Sequence, residues 1–202
     1  VILVVCALLP ELRDLPERRD IEILACGVGP VEAAVATANA LARGRYSAVV
    51  NAGIAGAFRG FAHVGDAVVV GEETFAELGL EGGGPLVLPD GAQLVTRVAA
   101  DAALVARCTA DSGSPLPVLR GLTVASVTTT DATARRLRTR YEAEVESMEG
   151  FSVLRAAAVA NVPAIEIRGI SNYVGDRAAS EWDFAAGARA TARALEAVLE
   201  RI

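Results

Sequence analysis

Ile21-Glu22-Ile23-Leu24-Ala25-Cys26-Gly27-Val28-Gly29-Pro30 carries a short apolar run into a glycine turn, and an Ala-rich stretch from about Val31 to Arg43 follows. The run reads as a strand, the Gly-Val-Gly-Pro as a tight turn, and the alanine-rich stretch as a helix. Tyr46 to Asn51 reads as the next strand, which completes a strand-helix-strand unit. Before it, residues 1 to 7 form an unbroken apolar run, the pattern of a strand covered on both faces. A polar segment with Glu11 and Pro16 joins that first strand to the second.

The same alternation continues towards the C-terminus. Asn51 is followed by Ala52-Gly53-Ile54-Ala55-Gly56-Ala57, read as a small-residue loop where a ligand can approach the backbone at Gly53. Gly65-Asp66 opens a strand from Ala67 to Val70, and the Gly- and Pro-rich stretch from Phe75 to Gly91 is irregular. A helix is expected from about Ala92 to Cys108, then strands near Leu116 to Val118 and Leu122 to Val127. Thr128-Thr129-Thr130-Asp131 reads as a hydroxyl-rich loop capping a helix from Ala132 to Tyr141. Glu146 and Glu149 are expected to open a buried helix, followed by a strand from Pro163 to Ser171 and a closing helix from Ala185 to Arg201. Strands and helices that alternate over the whole length predict an α/β fold with a mainly parallel or mixed sheet and helices on both faces.

At 202 residues the chain is sized for a single domain spanning 1–202. Its 52% hydrophobic and 22% charged residues fit a soluble α/β protein. A net charge of -6 argues against a nucleic-acid partner. The densest basic run, Arg135, Arg136, Arg138 and Arg140, has the spacing of a solvated helix face. The opening apolar run is too short to span a bilayer, so no membrane partner is expected. Cys6, Cys26 and Cys108 have neither metal nor disulfide spacing, and three such thiols suggest a reducing cytoplasm. The chain begins at Val1 rather than a methionine, so a short N-terminal piece is expected to be missing.

His63 is the single histidine and reads as a surface residue, so carboxylates are expected to do any proton chemistry. Gly27-Val28-Gly29 lacks the third glycine of a dinucleotide-binding fingerprint, because Glu32 stands there. Glu11 lies just past strand one and Asn172 just past the strand carrying Arg168, the places where open α/β sheets hold ligands. Glu149 sits in one of the most apolar regions, where an ionised carboxylate needs a partner. Each also has a plain reading: Glu11 as an exposed glutamate near Arg13, Asn172 as a turn residue, Glu149 as a helix start. Glu77 has no derivable role.

Taken in order, Ala7-x-x-x-Glu11, Gly27-Val28-Gly29-Pro30, Asn51-Ala52-Gly53-Ile54-Ala55-Gly56, Val64-Gly65-Asp66, Glu146-Ser147-Met148-Glu149 and Arg168-Gly169-Ile170-Ser171-Asn172 resemble the nucleoside phosphorylase and nucleosidase superfamily. Met148-Glu149-Gly150 and Ser171-Asn172-Tyr173-Val174-Gly175-Asp176-Arg177 narrow the resemblance to its futalosine-hydrolysing branch, which belongs to menaquinone biosynthesis. The resemblance implies a three-layer α/β/α sandwich with a central mixed sheet, no cofactor or metal, and a homodimer or higher homo-oligomer. It implies a purine nucleoside as substrate, with hypoxanthine released by hydrolysis of the N-glycosidic bond. The neighbouring activities are purine nucleoside phosphorolysis and cleavage of methylthioadenosine or S-adenosylhomocysteine.

In that resemblance Glu11 orients and deprotonates the attacking water, and Arg168 helps position the water or Glu11. Glu149 accepts hydrogen bonds from the ribose 2′- and 3′-hydroxyls, and Met148 packs against sugar or base. Asn172 stands where adenine-releasing relatives carry an aspartate. Its NH2 suits a 6-oxo group and its carbonyl suits N7–H, which fits hypoxanthine. Arg177 is a candidate for the benzoate carboxylate of the 5′ arm, or else pairs with Asp176 or Glu181. Thr128, Thr129 and Thr130 line the base pocket or only cap a helix. Related phosphorylases place arginine and serine near the positions of Asn51 and Ile54, so water is the expected nucleophile. A non-catalytic nucleoside-binding module is the rival from another class.

Overall fold

The computed structural model describes residues 1–81, 86–110, 116–176 and 182–202. Its strands are β1 (Ile2–Cys6), β2 (Ile21–Ala25), β3 (Ala48–Ala57), β4 (Ala67–Phe75), β5 (Arg97–Ala99), β6 (Val118–Thr123), β7 (Val145–Ser147) and β8 (Ala164–Tyr173). Among the described residues five α-helices accompany them: α1 (Pro30–Arg43), α2 (Ala102–Thr109), α3 (Asp131–Tyr141), α4 (Gly150–Val159) and α5 (Phe184–Leu199). A short 3-10 turn, Leu9–Leu12, carries Glu11 directly after β1.

The eight strands of the described residues belong to one mixed sheet, in keeping with the alternating pattern. β1 pairs in parallel with β2 and β3, and β3 pairs in parallel with β8. The sheet then closes on itself. β8 pairs antiparallel with β4, β4 parallel with β6, β6 parallel with β7, and β7 antiparallel with the end of β3. Closure brings Asn172 of β8 and Glu146 of β7 to either side of Gly56 in β3, since both are its register partners.

Alternation along β1 explains the helices on both faces. Ile2, Val4 and Cys6 pack with Leu104 and Cys108 of α2 and Leu195, Val198 and Leu199 of α5. Leu3 and Val5 point the other way, onto Ala33 of α1 and Val153, Leu154 and Ala157 of α4. Each such side chain, fully buried, contributes about 1.5–3 kcal/mol. β1 therefore reads as an unbroken apolar run because neither face meets water. The three cysteines are free and buried. Burial pushes the Cys6 thiol up to about 12 and Cys26 to about 11, which leaves both unreactive. No helix among the described residues is long and apolar enough to cross a membrane.

Several expected boundaries are corrected. Ala52 to Ala57 is not a loop: β3 runs through it to Ala57, with a register shift against β8 between Ala55 and Gly56. Small residues are needed there because buried side chains crowd the strand, not because the strand stops. The helix expected from Ala92 begins only at Ala102, where Asp101 accepts the Leu104 N–H at 2.9 Å, and β5 occupies part of the preceding stretch. One strand, β6, replaces the two expected between Leu116 and Val127, and β4 extends past Val70 to Phe75. Glu146 lies on β7, so only Glu149 opens α4. The hydroxyl-rich loop does cap α3, Thr130 Oγ1 accepting the Thr133 N–H at 3.2 Å.

Candidate active site

Glu11 is 4% exposed rather than a surface residue. The 3-10 turn after β1 swings its side chain inward, where Oε2 accepts the Leu8 N–H at 2.8 Å and Oε1 the Ile54 N–H at 3.0 Å. Burial pushes its carboxyl above the ordinary range, while these N–H donors and the Arg168 charge pull it back down. Each oxygen keeps a lone pair for a water or a substrate hydroxyl.

Gly53 makes this placement possible. A Cβ on Gly53 would stand 2.7 Å from Glu11 Oε1 and 2.8 Å from Arg168 Nη1. Its role is therefore to leave room beneath the carboxylate.

Glu149 is the residue before α4, yet its side chain turns away from its own helix. Oε1 accepts the Gly29 N–H at 2.9 Å and Oε2 lies 3.7 Å from Arg168 Nη1. The glycine turn of the second strand thus serves as a carboxylate clamp. Arg168 is 1% exposed and sits behind the site, its Nε donating to Glu166 Oε1 at 2.7 Å and its Nη1 to the Ile54 carbonyl at 3.2 Å. Burial alone would weaken the guanidinium's hold on its proton, but Glu166 and Glu149 more than offset that and raise its pKa. Ile54 links the two halves: its N–H holds Glu11 and its carbonyl holds Arg168.

These groups surround a cavity of about 220 Å³ lined by Glu11, Glu146, Met148, Glu149, Ser171 and Asn172 together with apolar side chains that include Leu8, Val28 and Phe184. Arg168 is not among the lining residues, so it supports Glu149 and Ile54 and does not face a ligand directly. Asn172 Nδ2 donates to the Tyr173 carbonyl at 3.2 Å, and Ser171 Oγ donates to Asn172 Oδ1 at 2.8 Å. A carbonyl can only accept, so the Tyr173 contact fixes which end of the amide is NH2. Each end keeps hydrogen-bonding capacity towards the cavity.

Other expected residues lie elsewhere. Thr129 is exposed and lines a neighbouring groove with Glu77, Arg136 and Arg140, not this cavity. Thr128 is buried and donates to Glu146, while Thr130 caps α3. Arg177 lies outside the described residues, as does Glu181. Arg59 stacks over the Tyr173 ring at 4.6 Å. Glu77 accepts the Ala125 N–H at 3.0 Å. His63 is exposed and its Nδ1 meets the Tyr173 hydroxyl at 3.1 Å.

Sequence reasoning missed the buried acids behind the site. Glu73 and Glu166 are both 0% exposed, and a Cβ on Gly150 would collide with both. Thr123 Oγ1 donates to Glu73 Oε2 at 2.8 Å and accepts the Phe151 N–H at 2.7 Å, tying Glu73 to the start of α4. Burial, then mutual repulsion with Glu166, raises Glu73 well above the ordinary carboxylate range. Ile165 and Ile167 on either side of Glu166 carry a signal of burial, whereas Glu73, between Glu72 and Thr74, has none.

The cavity thus joins a carboxylate over Gly53 of β3, a second carboxylate held by the glycine turn, and an amide near the end of β8. The chain belongs to the Phosphorylase superfamily, whose family profile matches residues 12–202. Within it, the sequence is 42% identical over 179 residues to futalosine hydrolase of Streptomyces coelicolor, covering 85% of this chain and 74% of that relative. It is 36% identical over 181 residues to futalosine hydrolase of Thermus thermophilus, covering 87% and 80%. Native futalosine hydrolase of Helicobacter pylori superposes with a TM-score of 0.84 at 17% identity, covering 100% of this chain and 97% of that one. The 5′-methylthioadenosine/S-adenosylhomocysteine nucleosidase of Neisseria meningitidis, in complex with methylthio-immucillin-A, gives 0.84 at 20% identity, covering 100% and 99%. At these structural identities the likeness is one of fold.

Proposed function

We propose that the chain hydrolyses the N-glycosidic bond of futalosine and releases hypoxanthine, a step of menaquinone biosynthesis. The observation that carries this reading is the convergence of Glu11, Glu149 and Asn172, from three separate elements, on one cavity. The futalosine hydrolases matched at 42% and 36% identity support the substrate.

Cleavage leaves an oxocarbenium-like ribosyl group and an electron-rich base, so the site must supply a nucleophile, a grip on the ribose and support for the purine. Glu11, held by the Leu8 and Ile54 N–H groups, takes the proton of a water aimed at C1′, a contribution of typically ~10²–10⁴-fold. Its negative charge, with Glu149 near it, also favours the cationic transition state. Glu149 spends one oxygen on the Gly29 N–H and still has lone pairs for the 2′- and 3′-hydroxyls. Arg168 is a positioning residue, held by Glu166 and bracing Glu149 and Ile54. Asn172 offers NH2 to the 6-oxo group and its carbonyl to N7–H. Met148 flanks the bound nucleoside.

Three carboxylates, Glu11, Glu146 and Glu149, line the cavity and repel phosphate, which favours water over phosphorolysis. The reading carries with it one catalytic domain over 1–202, working in the cytoplasm as a homo-oligomer. Exposed Leu8 (46%) and Val28 (52%) at the cavity, with Leu9 and Val31 beside them in sequence, suit contact with a second copy.

Glu11→Gln tests the assignment. Futalosine should still bind by calorimetry while turnover falls roughly 10²–10⁴-fold. Unimpaired turnover in the variant would remove Glu11 as the base, and binding without turnover in the wild type would mean a nucleoside-binding module.

A further inference from the structure

Glu146 is a buried carboxylate in the cavity wall that, beyond its negative charge, has no part in the steps assigned to Glu11, Glu149 and Asn172. It is 6% exposed, it lines the same cavity as Asn172, and both are register partners of Gly56. Residues directly across a ladder project to the same face of a sheet, so Glu146 and Asn172 rise together from the two strands that flank Gly56. Gly56, which also lines the cavity, carries no side chain between them, and a Cβ there would stand 2.9 Å from Val174 Cγ2 and 3.0 Å from Asn172 Nδ2. Two strand spacings set their Cα atoms roughly 10 Å apart, a gap that takes the edge of a planar ring with a hydrogen bond on each side.

The chemistry of Glu146 is fixed from behind. The Thr128 N–H donates to Oε1 at 3.0 Å and the Thr128 hydroxyl to Oε2 at 2.5 Å, which favours the charged, accept-only carboxylate. Burial outweighs these donors and, with a smaller push from Glu77, raises the Glu146 carboxyl above the ordinary range. Each oxygen retains a lone pair directed away from Thr128, and what it requires from a ligand is a donor.

A 6-oxopurine offers a donor beside the 6-oxo group, the N1–H. A 6-aminopurine offers a lone pair at N1 instead. We infer that Glu146 accepts the N1–H of the substrate's base while Asn172 holds its 6-oxo and N7 edge, so that the pair flanking Gly56 selects 6-oxopurines over 6-aminopurines. The inference rests on the reading of the chain as a futalosine hydrolase and adds Glu146 to Asn172 as a second residue that reads the base. An adenine ring in this slot faces a carboxylate with an acceptor, and the mismatch leaves two buried acceptors opposed.

The test compares wild type with Glu146→Gln on futalosine and on its 6-amino analogue, with hypoxanthine and adenine binding measured by calorimetry. Gln keeps the size of Glu but can donate to N1. The ratio of kcat/KM between the two nucleosides should fall roughly 10- to 100-fold in the variant, with hypoxanthine binding weakened and adenine binding unchanged or tighter. A purely structural role would lower both substrates together and leave the ratio intact, which would overturn the inference. Calorimetry needs no turnover, so equal weakening of both bases would overturn it even in a protein inactive on futalosine. Wild-type inactivity on futalosine would instead count against the underlying reading.

Discussion

Gly53→Ala is the perturbation whose size can be worked most directly from the structure. The new Cβ would lie 2.7 Å from Glu11 Oε1 and 2.8 Å from Arg168 Nη1, against an ordinary contact distance of at least 3.4 Å. Glu11 must therefore retreat by about 0.7 Å or the strand must shift by a similar distance. Neither group gives way freely, because Glu11 is held by the Leu8 and Ile54 N–H groups and Arg168 by Glu166. Overpacking of this kind destabilises by about 1–3 kcal/mol. Misplacing a catalytic group by close to 1 Å slows turnover on the order of 10²-fold. Steady-state release of hypoxanthine, beside a thermal melt, separates the two effects. The expected outcome is a folded protein with kcat down roughly 10²-fold and KM changed less, since the new Cβ meets Glu11 and Arg168 and not Glu149 or Asn172. A folded variant with wild-type kcat would refute the claim that Glu11 must stand where it does.

Asn172→Asp should exchange base preference, slowing futalosine by at least about 10-fold relative to its 6-amino analogue, as read by kcat/KM for each; an unchanged preference would remove Asn172 from base recognition. The pH profile of kcat/KM should fall on the acid side with an apparent pKa above the ordinary glutamate value of 4.5, because burial raises Glu11 and the base works only when ionised. An acid limb at or below 4.5 would contradict that. Glu73→Gln should become more stabilising as pH rises. The raised pKa of Glu73 favours the folded state fully below its unfolded value, and that contribution disappears as pH climbs through the folded value. Each unit of upward displacement removes about 1.4 kcal/mol by neutral pH, or about 3–5 °C of melting temperature. Melting curves of variant and wild type between pH 5 and 8 check this, and a difference that shrinks with rising pH would be the wrong sign.

Much of this architecture is legible in the chain, and the gaps have physical causes. The apolar run of β1 and the turn into α1 announce a covered sheet because hydrophobic periodicity records burial directly. The extension of β3 through Ala52 to Ala57 is hidden, since small residues signal a loop by propensity and here serve close packing under Glu11, Arg168 and Asn172. β5 and β7 span three residues each, too few for any period to show. Of Glu11, Glu149, Arg168 and Asn172, placed together by their positions at strand ends and a helix start, all but Arg168 line one cavity. Glu166 and Arg168, two apart on one strand, share a face in the sequence already, but only the fold shows that this pair is buried behind the cavity. Glu146 and Asn172 become neighbours of Gly56 only when the sheet closes, a long-range pairing that no local pattern encodes.

The most direct test of the account is product analysis after incubation of the wild-type protein with futalosine in phosphate-free, 18O-enriched water. The account predicts rapid release of hypoxanthine, no acceleration by added phosphate, and one 18O at the anomeric carbon of the sugar product. Release that requires phosphate and yields a sugar phosphate would contradict it, and would mean that the three carboxylates around the cavity do not exclude an anion.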